Sequence, residues 1–344
     1  MELVYLSQAD VVSLDMSMRE VLDALDGGFA AKGRGHTEMP PKPGIHTRPD
    51  CFIHAMPAYV RELEVAGLKW VSGYPPNSAK GLPYITGLLV LNDCETGMPL
   101  AVMDCAWVTA MRTGASAGIS ARYLARSGSA AAAIVGCGVQ ARTSLMALVE
   151  ELPALREVRC YDLFPEATQR FIAEMAALFP ALRLVTCASA PEAVRPADVV
   201  VTAIPIVVDP APDLDAGMLK EGGLAVSLDY DSAWTSAALQ ECDKFCSDDV
   251  ECVYVADPDR VILELVQRPS RCRPGTRRPA GPRDQAADAR RGERRHRAAH
   301  PCLPQVIPMD RLSCVGGVHR RRYVDAARAT SRATRRLRQP TGGA

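Results

Sequence analysis

Residues 132–141 read AAIVGCGVQA and decide the fold of the chain. The apolar run ends in Ile134-Val135 and leads directly into a G-x-G-x-x-A turn, after which a helical pattern opens. Asp162 stands at the end of the next apolar run. In a strand–turn–helix unit, such glycines allow a tight turn and a close approach of the backbone to a pyrophosphate.

Gly136 and Gly138 are therefore our candidates for holding a dinucleotide, with Asp162 as the acidic partner. A carboxylate at this point accepts hydrogen bonds from a ribose 2′-hydroxyl and repels a 2′-phosphate, so the pattern favours NAD over NADP. The alternative is a glycine turn in an unrelated α/β domain. The position of the motif after a strand, together with Asp162, favours the dinucleotide site.

Around this motif, short apolar runs alternate with amphipathic stretches over residues 130–250. This alternation predicts a parallel sheet covered by helices on both faces, which is a doubly wound, Rossmann-type α/β fold. The predicted strands are 132–135, 158–161, 182–187, 199–204 and 224–228, and the predicted helices include 141–152 and 165–178.

The N-terminal part has a different pattern, typical of an α+β domain. A strand at 3–6 precedes one helix that carries apolar residues from Val12 to Phe29 at helical spacing. Further predicted elements are an extended segment at 52–56, a strand at 68–71, a hairpin of 85–92 with 99–103, and a long helix over 107–126.

Composition limits the class of protein. The chain has 344 residues, of which 48% are apolar and 23% charged, which predicts two folded domains rather than wholesale disorder. No apolar run reaches the roughly 18 residues of a membrane span, and the N-terminus lacks a signal-peptide pattern. The 12 cysteines are scattered among apolar neighbours, which favours reduced thiols and a cytoplasmic location.

Charge is unevenly distributed. Residues 1–267 hold 20 Lys and Arg against 35 Asp and Glu, whereas residues 268–344 hold 20 Arg against 5 acidic residues. The second stretch has only nine Leu, Ile, Val, Met or Phe residues and eight prolines. So little apolar surface does not offset the entropy of ordering, and we expect this stretch to be largely disordered.

Three polar residues occupy positions that suggest chemistry. Lys69 lies inside an apolar strand, Arg112 lies on a helix of small residues, and Asp229 ends the last predicted strand, where α/β sheets bind ligands. Each has a plain structural alternative: an edge-strand lysine, an interdomain ion pair, and a helix cap for which Asp231 competes. His46 and His54 lack partners at metal-ligand spacing, so we predict no metal site.

Four motifs in order now identify a family. They are KWVSGYP at 69–75, TGLLVLNDCETG at 86–97, AMRT at 110–113 and GCGVQA at 136–141. With their separations, they resemble the ornithine cyclodeaminase/mu-crystallin family over residues 1 to about 260. The resemblance implies an enzyme with a Rossmann NAD(H)-binding domain at 119–256 and a catalytic domain at 1–118 that also forms a homodimer.

The resemblance also implies residue roles. Lys42, Lys69 and Arg112 would bind the substrate, with Lys69 acting in catalysis as well. Asp229 would be the general acid/base at the reacting carbon. The cofactor would be held by Thr113, Gly136, Gly138, Val139, Gln140 and Asp162. A bidentate Arg on the carboxylate and a base beside the α-nitrogen suit hydride transfer at the α carbon of an amino acid.

Two departures bear on the substrate. Lys42 stands where ornithine cyclodeaminases carry an Arg, which keeps the charge and loses the fork geometry. His54 stands where they carry a Glu that helps place a diamine. We therefore keep cyclodeamination of the ornithine type beside two alternatives, alanine dehydrogenase and cyclic ketimine (pyrroline-2-carboxylate) reductase. A non-catalytic binding protein like mu-crystallin is a further alternative.

The C-terminal part departs most. From about Asp257 nothing matches the Gly-rich turn and apolar helix with which the family returns to its catalytic domain. The gain in Arg, Pro and Ala is what an out-of-frame reading of a GC-rich gene near residues 255–268 produces. The rival hypothesis for residues 257–344 is an Arg-rich arm that binds nucleic acid, and the lack of interleaved aromatic residues argues against it.

Overall fold

The computed structural model describes residues 3–40, 42–207, 209–230, 232–248 and 305–308. Two sheets and the helices packed on them account for most of these residues. Within the described ranges, no helix is both long enough and apolar enough to cross a membrane.

The first sheet is built from the N-terminal part of the chain. Its elements are β1 (Val4–Leu6), α1 (Gln8–Val12), α2 (Met18–Gly33), β2 (Thr37–Glu38), β3 (Gly44–Arg48), β4 (Cys51–Val60), β5 (Val65–Gly73), β6 (Ile85–Asn92) and β7 (Pro99–Asp104). The strand order is β1-β7-β6-β5-β4-β2, and β3 also pairs with β4. Because β1 runs parallel to β7 and the other pairs are antiparallel, this is the predicted mixed α+β unit.

The N-terminal helical segment differs from its prediction. One helix was expected over Val12 to Phe29, and the chain forms α1 and α2 with a break at 13–17. Each helix has its own capping box, in which Ser7 pairs with Asp10 and Ser17 pairs with Glu20. A second N-cap inside an apolar pattern starts a new helix because it satisfies that helix's first backbone N–H groups.

Helix α3 (Ala106–Leu124) connects the two units. Its apolar residues divide between two cores: Met111 and Ala115 pack with the first sheet, and Ala117 and Ala121 pack with the second. The predicted domain boundary at residue 118 falls inside this helix and stays a prediction.

The second sheet follows the predicted alternation closely. Its elements are β8 (Ala131–Val135), α4 (Val139–Glu151), β9 (Glu157–Tyr161), α5 (Pro165–Leu178), β10 (Arg183–Thr186), α6 (Ala190–Val194), β11 (Val199–Thr202), β12 (Leu224–Ser227), α7 (Ser236–Glu241), β13 (Lys244–Phe245) and β14 (Gln305–Pro308). The order is β10-β9-β8-β11-β12-β14-β13, with every pair parallel.

Both faces of this sheet are covered. Alternate residues such as Ile134 and Val201 pack with α3, α4 and α5, whereas their neighbours Val135 and Val200 pack with α6 and α7. Strands buried on both faces explain the unbroken apolar runs in the sequence. The predicted fold class, a Rossmann-type doubly wound sheet with a second α+β unit, is confirmed.

Most of the stretch at 257–344 lies outside the described residues. Its residues Gln305–Pro308 form β14 between β12 and β13, and the expectation that the stretch is largely disordered stays a prediction.

Candidate active site

A crevice lies where the order of the second sheet reverses. From β8 the chain proceeds to β9 on one side, whereas β11 lies on the other. The loops after β8 and β11 therefore separate at the carboxyl end of the sheet, which is where doubly wound folds bind ligands. Gln140, in the first turn of α4, lines one cavity together with Ile206 and Val207, which lie in the loop after β11.

The glycine loop after β8 has the shape that the sequence predicted. Gly136 has a φ of +90°, and a Cβ there would stand 2.6 Å from the Ala203 carbonyl oxygen, so only glycine fits. Gly138 is the N-cap of α4, and a Cβ on it would meet no heavy atom within 4 Å. The N-terminus of α4 thus faces open space beside exposed Val139, and it fits a pyrophosphate.

Two side chains hold this loop. Asp162 Oδ2 accepts a hydrogen bond from Cys137 N at 2.7 Å, and its Oδ1 accepts one from Phe164 N at 2.9 Å. Arg142 Nη1 donates to the carbonyl oxygens of Cys137 and Gly138 at 3.0 and 2.8 Å. Asp162 is where the sequence placed it. Arg142 carried no sequence signal, because its role depends on the turn it closes.

The cavity extends from the glycine loop to the first sheet and has a volume of about 270 Å³. Its walls include apolar side chains such as Phe52, Met56, Val71 and Leu228. The polar residues that line it are Lys42, His46, Asp50, His54, Lys69, Thr109, Arg112, Thr113, Gln140 and Tyr230. A small, mostly apolar cavity with a few converging polar groups is typical of a small-molecule site.

Lys69 and Arg112 are brought together in this cavity from different elements. Lys69, on β5, is 1% exposed, and Arg112, on α3, is 6% exposed. A cavity that two such buried cations line can bind an anionic group of a ligand, because little water screens their charge. Thr113 and Gln140 line the same cavity, which joins the predicted substrate and cofactor residues.

Helix α3 can present Arg112 here because it packs closely on α4. A Cβ on Gly114 would stand 2.3 Å from the backbone carbon of Thr143, so the two helix backbones are in near contact. Thr113 Oγ1 donates to the Thr109 carbonyl at 2.7 Å, which leaves its methyl group and oxygen beside the cavity.

Lys42 reaches the cavity from the loop before β3 and contacts Tyr230, which follows β12. Lys42 Nζ donates to Tyr230 Oη at 2.7 Å and lies 5.3 Å from the centre of its ring. Tyr230 has a φ of +56°, a backbone conformation that is rare for a bulky residue and that clusters at functional sites. The sequence gave no indication of Tyr230.

His54 lines the cavity as an uncharged ring. Its pKa is lowered to about 4, chiefly because it is partly buried. Nearby Lys42, His46 and Lys69 lower this pKa further. The ring stacks on Phe52 with centroids 4.4 Å apart, so it presents a neutral, apolar-backed surface near pH 7.

Asp229 is a buried carboxylate that follows the carboxyl end of β12. It is 0% exposed and does not line the cavity, although Leu228 and Tyr230 do. Its carboxylate accepts hydrogen bonds from Thr202 Oγ1 at 2.8 Å, Ser227 Oγ at 2.6 Å and Ile204 N at 3.1 Å. Burial raises the pKa of Asp229 to about 6, although these hydrogen bonds act to lower it. The structure thus shows Asp229 tying β11 to β12, and its expected role as general acid/base at the reacting carbon stays a prediction.

Metal ligands were not expected, and the described ranges contain no group of three His, Cys, Asp or Glu side chains arranged to hold a metal ion. Asp231, the alternative capping residue, lies outside those ranges.

Fold and site together define a two-unit, Rossmann-type dinucleotide-binding protein, in which two buried cations line a cavity at the switch point. The sequence profile of the Ornithine cyclodeaminase/mu-crystallin family matches residues 1–233. The chain belongs to this family.

Individual relatives agree with the family. The nodulation efficiency protein NfeD of Rhizobium meliloti is 36% identical over 248 residues, 72% of this chain and 75% of that protein. An alanine dehydrogenase of Archaeoglobus fulgidus is 42% identical over 172 residues. That match covers 50% of this chain and about half, 52%, of the dehydrogenase.

Solved structures resemble the whole fold. The Δ1-pyrroline-2-carboxylate reductase of Thermococcus litoralis, in complex with NADH and L-proline, gives a TM-score of 0.75 at 26% identity. The match covers 95% of this chain and 98% of the reductase chain. An archaeal alanine dehydrogenase dimer with bound NAD gives a TM-score of 0.77 at 29% identity. That match covers 96% of this chain and 98% of the dehydrogenase chain.

Proposed function

We propose that this protein is an NAD(H)-dependent enzyme that acts at the α carbon of a small L-amino acid or its cyclic imine. The supporting observation is the single cavity in which buried Lys69 and Arg112 meet Thr113 and Gln140 beside the glycine loop. Bound NAD(H) supplies or accepts the hydride. NAD-bound relatives of the same fold agree with this assignment.

In this proposal the cavity orients the substrate. Arg112 pairs with the α-carboxylate, which a guanidinium binds with two parallel hydrogen bonds. Lys69 lies beside the same carboxylate and the α-nitrogen. Because both cations are almost fully buried, water does not screen them, and the substrate is held in one orientation next to the nicotinamide position.

Two reactions are candidates after this shared step. Cyclodeamination of the ornithine type is the namesake activity of the family. The second candidate, dehydrogenation or cyclic imine reduction, is favoured by the charge of the cavity. Three cations, Lys42, Lys69 and Arg112, line it beside one carboxylate, Asp50. His54 is neutral where an acid would hold a second ammonium group. A diamine is therefore the less suitable substrate.

A non-catalytic binding protein on the same fold is the remaining alternative. A binding role alone does not require two buried cations beside the glycine loop, and their presence favours an enzyme.

The first test is a fluorescence titration of purified protein with NADH and, in parallel, NADPH. Saturable binding that is tighter for NADH supports the proposal. We then expect the protein to oxidise NADH when Δ1-pyrroline-2-carboxylate, or pyruvate plus ammonia, is added. The rate of this reaction is compared with the rate of ornithine turnover. Binding of neither nucleotide, or binding without turnover of any of these substrates, argues against the enzyme.

We also propose a homodimer formed through the outer face of the first sheet. Trp70 on β5 and Leu88 on β6 are paired across the strands, and they are 43% and 48% exposed. Neighbouring outward residues such as Leu68 and Val90 extend this apolar face, whereas the opposite face packs on α2 and α3. Exposed apolar sheet of this kind marks an interaction surface.

Light scattering coupled to size exclusion tests the dimer. Trp70→Glu combined with Leu88→Glu should give a monomer, while Tyr123→Glu, an exposed aromatic position on α3, should stay dimeric. A dimer in all three proteins would place the interface elsewhere. The cytoplasmic location remains a proposal, with which the free cysteines among the described residues are consistent.

A further inference from the structure

The reaction at an α carbon also needs a group that moves a proton at the α-nitrogen. Asp229 does not line the cavity, and its carboxylate is engaged by three donors. The cavity's other titratable or charged groups are Lys42, His46, Asp50, Cys51, His54, Lys69 and Arg112. Among its lining residues, Tyr230 carries a hydroxyl at the carboxyl end of β12, beside the switch point.

Lys42 gives this hydroxyl a defined role. An ammonium group has no acceptor, so in the 2.7 Å contact Lys42 Nζ donates and Tyr230 Oη accepts. The phenol keeps its own O–H as a donor. If that proton leaves, the neighbouring ammonium stabilises the phenolate.

The backbone holds Tyr230 in this position. Ser227 Oγ lies 2.9 Å from the Tyr230 carbonyl oxygen and 2.6 Å from Asp229 Oδ1, so one hydroxyl links the two residues. Ser232 N donates to the Asp229 carbonyl at 3.1 Å and closes the turn. Asp229 thus acts as a positioning residue for the left-handed conformation of Tyr230.

We propose that Tyr230, paired with Lys42, is a further catalytic residue that exchanges a proton with the α-nitrogen of the substrate. This rests on the proposed function. In the reductive direction the imine carbon receives the hydride with its electron pair. An N–H bond forms as the Tyr230 O–H bond breaks, which leaves a phenolate beside the Lys42 ammonium, and water returns the proton. Oxidation of the amine reverses these steps.

A spectroscopic test does not depend on turnover. The ultraviolet absorbance of tyrosinate is followed during alkaline titration, and the titration of Tyr230→Phe is subtracted from that of the wild type. The difference gives the ionisation of Tyr230, which we expect at lower pH than that of Tyr123, obtained in the same way from Tyr123→Phe. The Tyr123 hydroxyl donates to Asp26 at 2.8 Å. Lys42→Met should move the Tyr230 ionisation to higher pH. If Tyr230 ionises at the pH of an ordinary tyrosine and Lys42→Met does not change that pH, the pairing of Tyr230 with Lys42 is overturned.

The kinetic test uses reduction of Δ1-pyrroline-2-carboxylate. Tyr230→Phe should lower kcat by about 100-fold or more, the usual effect of losing a proton-transfer group, with NADH affinity kept within about twofold. Tyr123→Phe should keep the wild-type kcat. If wild type binds NADH and turns nothing over, the proposed function fails. If wild type is active and Tyr230→Phe equally so, or if Asp231→Asn alone stops turnover, the role of Tyr230 is overturned.

Discussion

Asp229 should make the protein less stable as pH rises, which is the reverse of the usual behaviour of a carboxylate. Burial raises its pKa from 3.8 to about 6, so between these values the native state holds a proton that the unfolded chain has lost. By linkage, the free energy of unfolding falls as pH rises through this window. A shift of about two pH units corresponds to about 3 kcal/mol.

The substitution Asp229→Asn isolates this contribution. The amide keeps an acceptor for Thr202 and Ser227 but loses the acceptor for Ile204 N, at a cost of about 1–3 kcal/mol that does not depend on pH. We therefore expect the stability of the wild type relative to the variant to be greatest near pH 4. It should fall by about 3 kcal/mol towards pH 7, with most of the change below pH 6.

Urea unfolding at several pH values, followed by tryptophan fluorescence, measures this difference, since Trp234 is buried in the core on this side of the sheet. Asp198→Asn is the matched control. Burial acts to raise the Asp198 pKa, but hydrogen bonds from Lys220, Ala131 and Ala130 outweigh it, so the pKa is lowered. Its contribution should be complete at pH 7 and lost on acidification. The reasoning is refuted if the free energy of unfolding of the wild type, relative to Asp229→Asn, stays constant or rises between pH 4 and pH 7.

Further substitutions test the glycine loop, Asp162 and the packing of helix α3. Gly138→Ala places a Cβ in open space, so the free energy of unfolding should stay nearly unchanged while NADH affinity falls at least about tenfold. Gly136→Ala places a Cβ against the Ala203 carbonyl oxygen, so it should lower the free energy of unfolding in urea by about 2–4 kcal/mol. Asp162→Ser should raise NADPH affinity relative to NADH by about tenfold, and equal ratios in parallel titrations would argue against ribose recognition. Gly114→Ala should destabilise by about 2–4 kcal/mol, while Gly27→Ala, in α2 with no atom within 4 Å, should stabilise by about 0.5–1 kcal/mol.

Local patterns were sufficient to predict strands β8 to β12 of the second sheet, whereas β13 and β14 were not predicted. Strand β8, the glycine loop and α4 follow from apolar period, β-branched residues and turn glycines that are adjacent in sequence. Asp162 followed from the same motif. Lys69 and Arg112 were recognisable as polar residues in apolar elements, and both line the cavity.

Contacts between distant segments were beyond such patterns. Lys42 and Tyr230 are 188 positions apart, and neither has a local feature that indicates the other. Asp229 was placed correctly at the end of a strand, but its orientation depends on Thr202 and Ile204 of the neighbouring strand and loop. A strand end specifies which edge of a sheet a residue occupies and does not specify whether its side chain turns towards the crevice or the core.

Helix α3 determines the geometry of the site, because it belongs to both cores. Met111 and Ala115 fix it against the first sheet, which carries Lys69, while Ala117 and Ala121 fix it against the second, which carries the glycine loop. A close approach to α4 then sets the distance from Arg112 to Gln140. Small residues on this helix are therefore needed for the geometry of the candidate site, since a larger side chain would separate Lys69 and Arg112 from the glycine loop.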